Sequence, residues 1–251
     1  MTTFAKATAG LLLVTTAGCA SSGNTTSTPG DPFEGFNRTM YGFNDELDKA
    51  VLEPVAKGYR AVTNKPIRKG VRNFLGNLRE PVTFVNNVLQ GDLVSAGDTT
   101  GRFLINSTVG LVGILDVANN FESLEGPRED FGQTLGVWGV EGGPYLVLPF
   151  LGSTNPRDLL GTGADIAFDP LTWTEFEGDD AFMVGRAVVG AISAREGAIE
   201  TIDNLRSTQA DPYTAVRRIY GQTRAAAIRN GEEDPSAYEN LPDFDEEYEE
   251  Y

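Results

Sequence analysis

The 251-residue chain has no histidine and a single cysteine. The first absence excludes Ser-His-Asp and Cys-His catalysis and every His-ligated metal site. The second excludes an internal disulfide, so any bond chemistry would have to run on carboxylates, and no cofactor or metal is expected. Long apolar runs are missing as well. The most apolar N-terminal stretch, "AGLLLVTTAG", is shorter than the roughly 20 residues that a membrane-spanning helix needs. Positive charge is scarce, with 20 Lys and Arg against 36 Asp and Glu and a formal charge of −16. Nucleic acid is therefore not an expected ligand, because affinity for it comes from neutralising phosphates.

What is there begins with an address. Lys6, the apolar centre and the small residues up to Cys19 have the layout of an export signal over residues 1–18. Cys19 follows Thr16-Ala17-Gly18. Small residues before a cysteine form a lipobox, in which the thiol takes a diacylglycerol and becomes the first mature residue; Leu is more usual at the place of Thr16. Two acyl chains anchor a protein stably, whereas one binds marginally. The competing reading is a cleaved secretory protein with a spare thiol. Residues 19–30 read as a lipidated flexible tether. Residues 231–251, "GEEDPSAYENLPDFDEEYEEY", hold ten acids and no Lys or Arg, the composition of a disordered acidic tail.

Residues 31–230 read as one all-α domain with Gly/Pro-rich irregular loops. Asp31-Pro32 predicts a capped helix start. Phe33, Phe36, Met40 and Phe43 then recur at helical spacing, which fits either a core face or a face turned to acyl chains. Pro54 predicts a helix break. A helix from Lys65 carries Ile67, Val71, Phe74 and Leu78 on one side. Lys65, Arg68, Lys69, Arg72 and Arg79 make this the most basic segment, and a solvated face and a membrane-facing one both fit. Another helix opens at Glu80-Pro81 and ends at Gly91.

The second half of residues 93–118 is apolar on all sides and rich in glycine around Gly110 and Gly113. This fits close helix packing or a short apolar hairpin in the lipid interface and predicts either a buried helix or an interfacial one. After Pro127, Gly132, Gly136, Gly139, Gly142 and Gly143 with three prolines predict tight turns, a short extended piece at "YLVLPF" and a shaped surface or pore lining. Helices are then predicted from Pro156, over 180–206, and from Pro212. The last has Val216, Ile219 and Tyr220 inward and Arg217, Arg218, Arg224 and Arg229 outward. Glu129-Asp130 and Asp179-Asp180 fit a carboxylate hydrolase or, more simply, helix caps.

The strings "DPFEGFNRTMYGFND", "EPVAKGYRAV", "VRNFLGNLREPVTFVNNVLQGD", "RFLINSTVGLVGILDVA", "EDFGQTLGVWGVEGGPYLVLPFLGSTNPRD" and "DPYTAVRR" resemble, in order, the motifs of the MlaA (VacJ) outer-membrane lipoproteins. The resemblance runs from residue 31 to about 229. It implies a ring-like helical protein in the inner leaflet of the Gram-negative outer membrane, associated with a porin trimer. Such a protein is not an enzyme; it passes mislocalised phospholipid through a central amphipathic channel to a soluble periplasmic carrier and so maintains lipid asymmetry. On this reading Phe33, Phe36, Met40, Phe43, Val109, Leu111, Val112, Ile114 and Leu115 contact lipid. Gly132, Gly136, Gly139, Gly142 and Gly143 line the channel, and Asp at Gly110 and Gly113 blocks transport without unfolding the domain. The alternative is a structural lipoprotein that scaffolds a porin assembly without moving lipid. Mass spectrometry of the mature protein is expected to find Cys19 as a diacylglyceryl thioether at the new N-terminus; a free thiol there overturns the assignment.

Overall fold

Four prolines set helix starts. Pro66, Pro81, Pro156 and Pro212 each stand in a first turn, where the missing N–H has no intrahelical bond to lose. The computed structural model describes residues 31–121, 124 and 126–232. The export signal, Cys19, the tether and the acidic tail beyond residue 232 lie outside them. Among the described residues are ten α-helices: α1 (Glu34–Leu47), α2 (Glu53–Val62), α3 (Lys65–Asn77), α4 (Glu80–Gln90), α5 (Leu93–Thr108), α6 (Phe131–Val137), α7 (Pro156–Phe168), α8 (Asp179–Gly197), α9 (Ile199–Thr208) and α10 (Pro212–Ile228). One antiparallel hairpin, β1 (Leu146–Leu148) and β2 (Gly152–Thr154), pairs Val147 with Ser153. The fold is all-α, with the extended piece expected at "YLVLPF" supplying β1.

Side-chain oxygens of Asn64, Asp92, Asp130, Asn155 and Asp211 accept from the free N–H groups of α3, α5, α6, α7 and α10, the usual role of such residues at helix starts. Asp31 does not do so, although its position suggested it. Its carboxylate is buried and instead accepts from Asn37 Nδ2 at 3.0 Å and from the Tyr213 hydroxyl. Nor does Pro54 break the chain. A π-helical turn, Asp48–Leu52, joins α1 directly to α2 and leaves the proline in the first turn of the next helix. The long pattern at 180–206 is two helices, because Ala198 leaves helical geometry between α8 and α9.

The segment after α5 is not a helix of either predicted kind. Leu111, Val112 and Gly113 adopt φ of 54°, 59° and 89°, so residues 109–115 fold into a left-handed turn. The Gly113 N–H donates to the Asn106 carbonyl at 2.7 Å and the Leu115 N–H to the Gly110 carbonyl at 2.8 Å. Both glycines are structural. A Cβ at Gly110 would overlap the Leu115 carbonyl, and one at Gly113 would overlap the Asn77 side chain. The expectation that Asp at either place spares the fold is therefore wrong.

The interior is polar. Among the described residues nine hydrophobic ones are buried, four of them alanine, beside twenty-one polar or charged ones. The largest apolar cluster is Tyr145, Val147 and Tyr213, with Met40, Tyr41 and Tyr220 against it. Asn37, fully buried, ties α1 to β1: its Nδ2 donates to the Tyr145 carbonyl at 2.9 Å and its Oδ1 accepts from Val147 N–H at 2.9 Å. Arg195 and Arg206 bind Asp45, Asp48 and Glu53, which fastens the α1–α2 rod to α8 and α9. Glu196 gathers Arg60, Arg68 and Arg72, so the basic face of α3 turns in part toward an acid of this chain.

Two substitutions test this account. Asn37→Leu keeps the volume but strands a buried carbonyl, an N–H and the Asp31 carboxylate, and is expected to lower stability by about 2–4 kcal/mol in chemical denaturation. Gly113→Ala meets both a positive φ and the Asn77 side chain, and is expected to destabilise by about 1–3 kcal/mol. Wild-type stability in either variant contradicts the account.

Candidate functional site: a charge-lined cavity within an apolar exterior

Residues of α3, α4, β2, α7, α8 and α10, with Arg79, Arg128, Asp130 and Asp169 from the connections, line an open cavity of about 850 Å³. Leu75, Val82, Ile166 and Met183 give its wall apolar stretches, and arginines and aspartates supply the rest. Arg224, expected outward, turns in. Its Nη2 lies 2.5 Å from Asp130 Oδ1 and its Nε 2.8 Å from Asp158 Oδ2. Tyr220 donates to the same Asp158 oxygen at 2.5 Å, and Asn155 and Arg157 donate to Asp158 as well. Burial pushes the Asp130 and Asp158 carboxyls up, but the Arg224 guanidinium outweighs it and holds both below the usual range. Arg186 pairs with Asp169 at 2.5 Å. Ile219, expected inward, is exposed instead.

Asp165 behaves differently. Its Oδ1 accepts from Asn86 Nδ2 and from Phe131 N–H, each at 3.0 Å, and burial raises its pKa. Burial also raises that of Glu129, whose Oε2 accepts from Gln90 at 2.8 Å. Both adjacent acid pairs stand at helix starts: Asp130 caps α6, and Asp179 and Asp180 occupy the first turn of α8. Favourable placement at a helix N-terminus accounts for them.

The five glycines proposed for a channel wall are elsewhere. Gly132 packs against Asp158 and Arg224, Gly136 against Ile228 and Arg157, and Gly142 and Gly143 against Asn155 and Pro156. Gly139 and Gly143 have φ of 84° and 73° and turn the chain. None lines the cavity. Gly132 and Gly136 lie inside α6, where they let helices touch closely; the cavity wall is built by α3, α7 and α8 instead.

The outer surface is the reverse of the interior. Thirty-two large apolar residues among the described ones are exposed, far more than scattered surface hydrophobics would give. Of the predicted stripe, Phe33, Phe36 and Phe43 are 46–48% exposed, and Met40 is half-buried against the tyrosine cluster. The core face of α1 is Asn37 with Tyr41 and Asn44, between the phenylalanines. Val109, Leu111, Val112, Ile114 and Leu115 all face out, at 48–67%. Periodicity missed Phe150 and Leu151, the tip of the β-hairpin, which are 79% and 63% exposed. Phe150 meets Phe43 edge-on at 5.8 Å and so extends the α1 stripe; Asn44 holds it by accepting its N–H at 3.0 Å. The pair of apolar residues between Pro149 and Gly152 was the available signal. Arg128 of the cavity wall was missed too and has no periodic signal, since it lies outside any helix.

Residues 29–227 match the family model described as MlaA lipoprotein. The chain is 39% identical to the Escherichia coli K12 protein "Intermembrane phospholipid transport system lipoprotein MlaA" over 240 residues, covering 92% of this chain and 94% of that one. The Haemophilus influenzae protein of the same name is 37% identical, covering 94% of each. A solved chain described as the structural basis for maintenance of bacterial outer membrane lipid asymmetry superposes with a TM-score of 0.70 at 37% identity, over 79% of this chain and 98% of that one. A matching family model over most of the length, close relatives end to end and the same fold place the assignment beyond resemblance: the chain belongs to the MlaA lipoprotein family.

Proposed function

We propose that this protein removes mislocalised phospholipid from the outer leaflet of the outer membrane, passes it through the mixed polar and apolar cavity and hands it to a soluble periplasmic carrier, so maintaining lipid asymmetry. It does so anchored by Cys19 on the inner-leaflet side of that membrane, beside a porin trimer. The observation that supports this best is the inverted distribution of polarity, with aromatic and aliphatic side chains outside and charge inside around an 850 Å³ cavity. No described helix is long and apolar enough to cross a membrane. An apolar exterior on short helices suits a protein lying in one leaflet, with its outer face against acyl chains. Phe33, Phe36, Phe43, Phe150 and the 109–115 turn are its lipid contacts.

Lipid movement has two opposed requirements. Exposing acyl chains to water costs about 0.8 kcal/mol per CH₂, and taking an unpaired charged head group through hydrocarbon costs several kcal/mol. A cavity whose wall mixes apolar side chains with arginines meets both when the tails stay against the apolar surface. Direction needs no bond chemistry, because a carrier that binds lipid more tightly draws the equilibrium toward itself. The names of the relatives and the lipid asymmetry described for the solved neighbour support the same reading.

Intact cells lacking the protein are expected to release more fatty acid to externally added phospholipase A2, and the wild-type chain to restore the low level. The triple change Leu111→Ser, Val112→Ser and Leu115→Ser removes exposed side chains, so it should leave the melting temperature within about 2 °C. It should nonetheless fail to restore the barrier. Equal fatty-acid release with and without the protein, while porin still co-purifies, would instead identify a scaffold.

A further inference from the structure

We propose that Arg79 and Arg128, beside Arg72, form a phosphate-binding subsite on the cavity wall. The inference rests on the phospholipid-transport reading and names what that cavity recognises. Arg72, Gly76 and Arg79 all line the cavity at spacings of four and three, so they follow one face of α3 and its continuation. The Arg128 guanidinium lies over Gly76, where a Cβ would collide with it. The Arg128 guanidinium therefore reaches this face between the positions of Arg72 and Arg79, which stand about 10 Å apart along it at ~1.5 Å rise per residue.

Among the described residues, the carboxylates that line the cavity or whose charge reaches these arginines, including Glu80 beside Arg128, each have another partner. Asp130 and Asp158 bind Arg224, Asp169 binds Arg186, and Glu80 binds Arg102 at 3.2 Å. Asp165, whose charge Arg79 feels, spends its Oδ1 on Asn86 and the Phe131 N–H. Arg72 reaches Glu196 at 3.2 Å, an acid it shares with Arg60 and Arg68. Arg79 and Arg128 make no ion pair and no side-chain hydrogen bond among the described residues. On a chain of charge −16, two exposed guanidiniums without a carboxylate partner, on the wall of an open cavity, make a local positive patch that attracts an incoming anion. A phosphodiester matches them in charge and in geometry, since the guanidinium fork binds two phosphate oxygens at once.

The test uses the full-length protein in detergent and calorimetry with dihexanoylphosphatidylglycerol below its micelle concentration, inorganic phosphate, and dihexanoylglycerol, which lacks the phosphate. The double change Arg79→Gln and Arg128→Gln is expected to weaken the phospholipid about tenfold or more and leave dihexanoylglycerol unchanged. Lys at both places should retain most of the affinity. Lys65→Gln with Lys69→Gln removes the same charge from the adjoining groove beside Glu200, on the far side of Arg72, and should have no effect. Competition by inorganic phosphate means that the subsite takes free phosphate as well; lack of competition means that it takes phosphate as a head group. Unchanged phospholipid affinity in the Arg double variant overturns the proposal, as does an equal loss for dihexanoylglycerol or in the lysine variant. If the Gln variant does not fold, phenylglyoxal labelling of the wild-type chain decides: phospholipid should shield Arg79 and Arg128, and undiminished labelling overturns the subsite. Failure of the two ideas is separable. Phosphate-dependent binding without restored lipid asymmetry sinks the transport reading alone, and transport that survives unchanged binding in the Arg variant sinks the subsite alone.

Discussion

The interior of this protein is held together by guanidinium–carboxylate contacts, and the rest of the structure depends on them. Arg224 joins α10 to α6 and α7, Arg195 and Arg206 join α8 and α9 to the α1–α2 rod, and Glu196 joins α8 to α2 and α3. With only nine buried hydrophobics among the described residues, apolar burial cannot supply the usual driving force. In water this would be a poor bargain, because desolvating an ion pair roughly cancels its attraction while losing one partner costs 3–5 kcal/mol or so. In a lipid environment the balance changes. Apolar side chains gain nothing by hiding from hydrocarbon, and polar groups must find partners inside.

The same constraint explains the cavity. Ion pairs have fixed geometry and do not collapse around empty space as aliphatic side chains do. The elements pinned by such contacts leave an open volume between them. Arginines and aspartates stand among apolar side chains on its surface because several of the groups that fasten the helices face it. The hairpin and the 109–115 turn are extensions of this frame. Each is fixed by asparagine side chains, buried Asn37 and half-buried Asn44 for the hairpin and buried Asn106 for the turn, and each pushes apolar residues outward. Asn106 accepts from the Ala118 N–H and donates to Asp116, so the exposed turn is anchored at both ends by polar contacts rather than by burying its own side chains.

Most of the helices were legible from the chain. Pro66, Pro81, Pro156 and Pro212 mark starts, Asn64, Asn155 and Asp211 cap them, and Gly91 ends α4 in the left-handed conformation. These signals are local. They failed where a partner far along the chain won. Asp31 gives up a capping role for Tyr213, 182 residues away, and Arg224 turns inward because Asp130 and Asp158 wait there. Glycine was misread for the same reason: a glycine in a pore wall, in a tight turn or under a neighbouring helix looks alike in sequence, and the difference lies in what touches it.

By itself the sequence determined the chemistry that is absent, the helix starts and the family, because histidine content, capping residues and motif strings need no third dimension. It also marked the apolar residues of α1 and of 109–115, but not which way they face. Periodicity gives a stripe its angle and never its neighbour, so a core face and a lipid face have one signature. Tertiary structure alone decided that the phenylalanines of α1 point out while Asn37 points in, that Arg224 is spent on aspartates while Arg79 and Arg128 are not, and that a cavity exists. Each outcome is a choice of partner between residues tens to more than a hundred positions apart, which no local pattern encodes.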